Sequence, residues 1–136
     1  MTLSRLDIPG PRRGDGDEPP ALQVVATTVS DTLAVVQVRG DLDLMTAPRF
    51  DGWVRGLLGE RADVVLDLDE VAFLASAGIA VLMGLRLDTA GGATRLHLTG
   101  RRNRAVSRPL AVLGLAGVLD LQDDARAVVA ELVPTA

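Results

Sequence analysis

The stretch Val64-Val65-Leu66-Asp67-Leu68-Asp69-Glu70-Val71-Ala72-Phe73-Leu74-Ala75-Ser76-Ala77-Gly78-Ile79 holds a strand, a turn and the start of a helix, and the fold can be read outward from it. Residues 64–68 form a short apolar run bounded by charge, the pattern of a buried strand. A helix follows over residues 76–90 and is stopped by Gly91-Gly92.

Upstream, residues 22–29 read as a strand, Ser30-Asp31 as a turn, and residues 33–39 as its hairpin partner. Gly40-Asp41-Leu42-Asp43 ends that second strand. Thr46 then stands at an N-cap position, with Pro48 in the first turn of a helix that runs to about Leu58. Downstream, residues 95–99 alternate and read as a strand. Residues 103–113 read as a helix despite Pro109, residues 118–121 as a short strand, and residues 123–133 as a closing helix.

The resulting order is ββαβαβαβα. It predicts an α/β fold, with a mixed sheet of about five strands and about four helices packed mainly on one face. Functional loops in such sheets lie at the carboxyl ends of the strands, which here are residues 40–45 and 70–75.

The chain has 136 residues, which suits one domain. Residues 1–20 are rich in Pro, Gly and charge, and read as a disordered tail before a domain spanning 21–136. Only 2% of residues are aromatic, so the core must be built from aliphatic side chains. The basic residues are all Arg, and the net charge is -4. An acidic chain with few aromatics does not suit direct nucleic-acid binding. The chain contains no Cys and a single His, His97. That removes thiol chemistry, and it leaves no ligand set for zinc and no His-dependent triad. The absence of Cys suits a reducing cytoplasm. No membrane span and no signal peptide is read. The expectation is a protein that is not an enzyme and needs no cofactor or metal.

Ser76 has two compatible readings. It can cap the helix, or it can accept a phosphoryl group at the positive end of the helix. The helix after it carries two apolar rows: Ile79, Met83, Leu87 and Ala90, and almost opposite them Ala77, Val81 and Leu85. The second row is either covered by a neighbouring helix or exposed as a protein-binding patch. Asp41, Asp43, Asp67, Asp69 and Glu70 are carboxylates near strand ends. They read as solvated loops or as metal or acid–base groups, and no nucleophile–base pair accompanies them. Arg101-Arg102-Asn103-Arg104 is a basic cluster, either solvated or in contact with an acidic partner.

Together these segments resemble the STAS-domain family of anti-sigma factor antagonists, also called anti-anti-sigma factors. Gly40-Asp41-Leu42-Asp43-Leu44-Met45-Thr46-Ala47-Pro48 is similar to that family's Gly-(Glu/Asp)-Leu-Asp segment with its following Thr-Ala-Pro. Residues 64–74 resemble the strand before the family's phosphorylation site, and Ala75-Ser76-Ala77-Gly78-Ile79 stands at the family's Asp-Ser-Ser-Gly-Leu. Val112-Leu113-Gly114-Leu115 resembles a late Gly-Leu turn. The resemblance implies an antagonist that binds an anti-sigma factor, itself a serine kinase, and thereby frees a sigma factor. Phosphorylation of the motif serine ends the binding.

By position, Ser76 is the implied phospho-acceptor and Asp43 the acidic residue beside it. The implied partner surface takes in Asp41, Asp43, Thr46, Ala75, Ser76, Ala77, Gly78, Val81 and Leu85. A monomer or weak dimer is expected. Ala75 and Ala77 stand where the family carries Asp and a second Ser or Thr. They keep open an alternative, a STAS scaffold without a phospho-switch in another signalling assembly or a transporter pathway.

Overall fold

The computed structural model describes residues 3–10 and 20–133. Its elements are β1 (Leu3–Ile8), β2 (Leu22–Thr28), β3 (Leu33–Leu42), α1 (Ala47–Leu57), β4 (Asp63–Leu74), α2 (Ser76–Thr89), β5 (Arg95–Thr99), α3 (Arg104–Val112), α4 (Ala116–Leu119) and α5 (Ala125–Leu132). The five strands form one mixed sheet in the order β1-β2-β3-β4-β5. The first two pairings are antiparallel, and β3–β4 and β4–β5 are parallel. The expected α/β class and mixed five-stranded sheet are therefore present, but one strand and one helix differ from the sequence reading.

Leu3–Ile8 was expected to be tail and is instead the edge strand β1, paired along its length with β2. Its alternation places Leu6 and Ile8 against the core, and Ile8 is buried. The Pro- and Gly-rich composition of residues 9–20 masked this short pattern in the sequence. Of the expected tail, residues 1–2 and 11–19 lie outside the described residues.

Residues 118–121 were expected to be a strand and are not. Residues 116–119 form the short helix α4, Asp120 takes a left-handed conformation (φ 51°), and the strand-like pairing here is a single bridge from Gln122 to Thr99. Leu119 and Leu121 are both buried, so burial alone produced the strand-like pattern.

Alternation along the strands sends side chains to two faces. On one face Val24, Val36, Val38, Val64, Leu66, Leu68, Leu96 and Leu98 meet Phe50 and Val54 of α1, Ile79, Leu82 and Leu85 of α2, Val106 and Leu110 of α3, and Leu119 of α4. On the other, Leu33 and Val65 meet Val128 of α5, with Val29, Val35 and Val129 beside them. Four helices thus cover one face, and α5 covers part of the other.

At Gly40 and Gly78 a side chain is forbidden by contact. Gly40 has φ +108°, and a Cβ there would lie 2.3 Å from the Ala21 carbonyl oxygen. At Gly78 a Cβ would lie 2.7 Å from the Leu42 carbonyl oxygen and 2.9 Å from Leu74 Cδ1. The absence of that Cβ lets the start of α2 press against the ends of β3 and β4.

Candidate functional site

The carboxyl ends of β3 and β4 lie side by side, with Asp41 opposite Phe73 and Leu42 opposite Leu74. The Ala75 N–H donates to the Leu42 carbonyl at 2.9 Å, so the β4–α2 turn is fastened to the end of β3. Two register shifts in this pairing make β4 longer than its apolar run suggests, carrying it on to Leu74. Asn103 braces the irregular part: its Nδ2 donates to the Leu68 and Val71 carbonyls at 2.9 and 2.8 Å. Its Oδ1 also caps α3 by accepting from the Ala105 N–H at 3.1 Å. In the sequence Asn103 reads as the start of a helix and as part of the basic cluster at residues 101–104. Its reach across to β4 had no local signal.

The β3–α1 loop is held by a closed set of polar contacts. Asp43 Oδ1 accepts from the Met45 and Thr46 N–H groups at 2.9 and 3.1 Å. Thr46 Oγ1 donates to the Asp41 carbonyl at 2.7 Å and accepts from the Asp43 N–H at 3.1 Å. Thr46 does occupy the N-cap position, but its side chain does not cap α1. It is 1% exposed and positions the loop from inside. Held in this way, Leu44 and Met45 stand out at 77% and 80% exposure, and Phe73 across the pair is 54% exposed.

Ser76 is the first residue of α2, not its cap. Ala75 occupies the cap position in extended conformation and provides no side-chain bond. Early N–H groups of α2 are therefore left without a side-chain acceptor, at the end where the helix dipole favours negative charge. Ser76 is exposed there.

The expected surface residues divide. Asp41 and Asp43 at the end of β3, and Ala75 and Ala77 on either side of Ser76 in sequence, are half-buried at this carboxyl edge. Gly78 is buried and serves the close approach described above. Leu85 was expected at the partner surface, yet it is 0% exposed and belongs to the core, while Val81 packs partly against that core. The buried stripe of α2 runs through Gly78, Ile79, Leu82 and Leu85. It lies between the two rows read from the sequence. A helix with apolar residues nearly all round carries too little contrast for its periodicity to pick the inward side. Leu87, assigned to one of those rows, is exposed.

The carboxylates also separate. Asp67 is half-buried on the α5 face, and burial pushes its carboxyl above the usual range. The Asp69 N–H opposes that shift, while the charges of Asp69, Glu70 and Asp124 add to it. Among the described residues no group of three or more His or acidic side chains is arranged to hold a metal. Arg101 and Arg102 of the basic cluster pair with Asp123 at 2.6 and 3.9 Å.

The fold and this edge define a small α/β domain with a rigid, partly apolar surface at the carboxyl ends of two parallel strands. The chain belongs to the STAS domain family: residues 25–130 match the family model described as "Mlab, STAS domain". A search of the curated proteins finds no match. Among solved structures, the chain is similar to an anti-sigma factor antagonist from Mycobacterium paratuberculosis, at 24% identity over 81% of this chain and 92% of that one, with a TM-score of 0.70. It is similar to the Bacillus cell fate determinant SpoIIAA in its phosphorylated form, at 15% identity, 81% and 99% coverage, and a TM-score of 0.63. A sulfate transporter family protein from Wolinella succinogenes also matches, at 17% identity, 74% and 84% coverage, and a TM-score of 0.60. At these identities the structural likeness speaks to the fold. Among the described residues no helix is long and apolar enough to cross a membrane.

Proposed function

We propose that this chain is an anti-sigma factor antagonist. It acts by binding, not catalysis: in the cytoplasm, as a monomer or weak dimer, it engages an anti-sigma factor that is a serine kinase and so releases a sigma factor. The observation that carries this reading is Ser76, exposed at the first position of α2 at the same carboxyl edge of the sheet that carries the exposed Leu44, Met45 and Phe73. Asp41, Asp43, Ala75 and Ala77 complete the rim, and Thr46 and Gly78 hold it in shape. Transfer of the γ-phosphoryl group of ATP to Ser76 Oγ releases ADP and the hydroxyl proton. It places close to two negative charges at the centre of the interface. The helix end tolerates that charge, and an apolar partner surface does not.

The test combines intact-mass measurement with calorimetry. Incubated with ATP and the cognate kinase, wild type gains one phosphoryl group and Ser76→Ala gains none. Ser76→Glu weakens kinase binding by about tenfold or more, equivalent to roughly 1.4 kcal/mol. No mass change, together with unchanged Ser76→Glu affinity, overturns the switch.

A second reading is favoured by Ala75 and Ala77, which leave no polar side chain on either side of the Ser76 hydroxyl. It is a STAS scaffold without a phospho-switch, in another signalling assembly or a transporter pathway. A pull-down that recovers the same protein, not a kinase, with both wild type and Ser76→Ala supports it.

A further inference from the structure

We propose that the groove between the β4–α2 turn and α3 docks an acidic amphipathic segment of the partner protein. This deepens the reading above by naming what a second part of the same edge recognises. The groove has a volume of about 620 Å³, and its lining includes Phe73, Ser76, Arg104, Arg108, Val112 and Leu113. Val112 and Leu113 are 79% and 57% exposed, so with Phe73 they leave a continuous apolar surface open to solvent. Large side chains left exposed around a groove of this kind mark an interaction site.

Charge identifies the occupant. No carboxylate lines the groove. Arg104 and Arg108 stand one turn apart on α3 and are both exposed. Neither makes an ion pair among the described residues, which is also true of Arg49, Arg61, Arg86 and Arg126; what sets Arg104 and Arg108 apart is that both line one apolar groove. Two unpaired guanidinium groups on an apolar groove, in a chain of net charge -4, fit a segment that presents leucine or phenylalanine on one side and aspartate or glutamate along the other. Because Ser76 lines the same groove, a phosphoryl group on it would compete with that segment for the two arginines.

The probe is a synthetic helical peptide of about 18 residues, long enough for roughly five turns, with leucine and phenylalanine on one side and glutamate on the other. The control peptide has lysine in place of each glutamate. Titrated into the full-length protein and followed by NMR, the glutamate peptide shifts the amide signals of Phe73, Ser76, Arg104 and Val112. The shifts weaken as salt rises, and the lysine peptide leaves these signals unmoved. R104E/R108E weakens binding about tenfold or more. R104Q/R108Q does so to a smaller extent and serves if the first variant does not fold.

Equal binding of the lysine peptide, shifts confined elsewhere, or unchanged affinity of the arginine variants overturns the proposal. So does sedimentation showing the groove filled by a second copy of the chain. The two readings fail separately. A kinase that binds wild type and R104E/R108E equally removes the groove and leaves the antagonist function. A kinase that binds neither, while the glutamate peptide docks, removes the antagonist function and leaves the groove.

Discussion

Where β4 and β5 begin, the sheet pairs most of its polar groups with one another, with Arg61 Nε left buried without a partner; where β3 and β4 finish, it leaves apolar groups standing in water. At the first end Asp63 is 6% exposed and its carboxylate accepts from His97 Nε2 at 2.8 Å and from Arg95 Nη2 at 3.0 Å. Thr94 Oγ1 donates to the Arg61 carbonyl at 2.8 Å and accepts from the Gly59 N–H at 2.9 Å, and Arg61 Nη2 reaches Thr28 Oγ1 at 2.9 Å. At the second end Asp43 and Thr46 also close their polar contacts on the loop, but they present Leu44 and Met45 outward, and α2 starts with no side-chain cap. Both ends are well ordered by hydrogen bonds. They differ in what that order displays, and an apolar display beside an uncapped helix is suited to a partner.

The strongest challenge to this comparison is Leu85, which the sequence placed on the displayed side and the structure places in the core. Leu85→Ala should lower unfolding stability by about 2–5 kcal/mol in a denaturant titration, the range for emptying a fully buried leucine site. A loss near zero would return Leu85 to the surface. Gly78→Ala should cost about 1–3 kcal/mol, since its Cβ must displace the end of β3 or the Leu74 side chain. That variant distorts the display without touching the opposite end. Its expected signature is destabilisation together with altered amide shifts at Leu42 and Leu74.

The closed end has a pH signature of its own. Burial alone would raise the Asp63 carboxyl, but the hydrogen bonds from His97 and Arg95 and their charges outweigh it and hold the group below its usual 3.8. A lowered folded value stabilises the fold at and above the unfolded value, and that stabilisation is lost as pH falls through the lowered one. Asp63→Asn should therefore cost about 1–3 kcal/mol at neutral pH and flatten the stability profile below about pH 4. Asp67 has the opposite sign: its raised carboxyl opposes folding when ionised, and acid relieves it. Asp67→Asn should hold or slightly raise neutral stability, checked in the same titrations. The smallest expected effect is at the displayed end, where Met45→Ser should change stability by less than about 0.5 kcal/mol because the side chain is in solvent already.

Much of this was legible in the residues. The α/β class, the mixed sheet and the positions of α1, β5 and α3 follow from apolar periodicity and from Gly and Pro punctuation. The β4–α2 turn with Ser76 at a helix start was legible for the same reason. What was missed shares one physical cause: a local pattern cannot report which distant element covers it. Leu3–Ile8 is a strand because β2 offers it an edge. Leu119 and Leu121 look like a strand because helices and sheet bury both. Leu85 looked exposable because α2 carries apolar residues nearly all round, with only Arg86 and Asp88 charged. The outward Leu44 and Met45, and the brace from Asn103, depend on hydrogen bonds made in three dimensions.

The central claim is that the partner meets the carboxyl ends of β3 and β4 and not the opposite end. The direct measurement is calorimetric titration of the proposed partner, an anti-sigma kinase, with wild type, Met45→Asp and His97→Gln. The account predicts that Met45→Asp weakens binding about tenfold or more, as expected for a charge placed in an apolar contact, while His97→Gln stays within about twofold of wild type. Equal losses at both ends, or a loss only with His97→Gln, would contradict it.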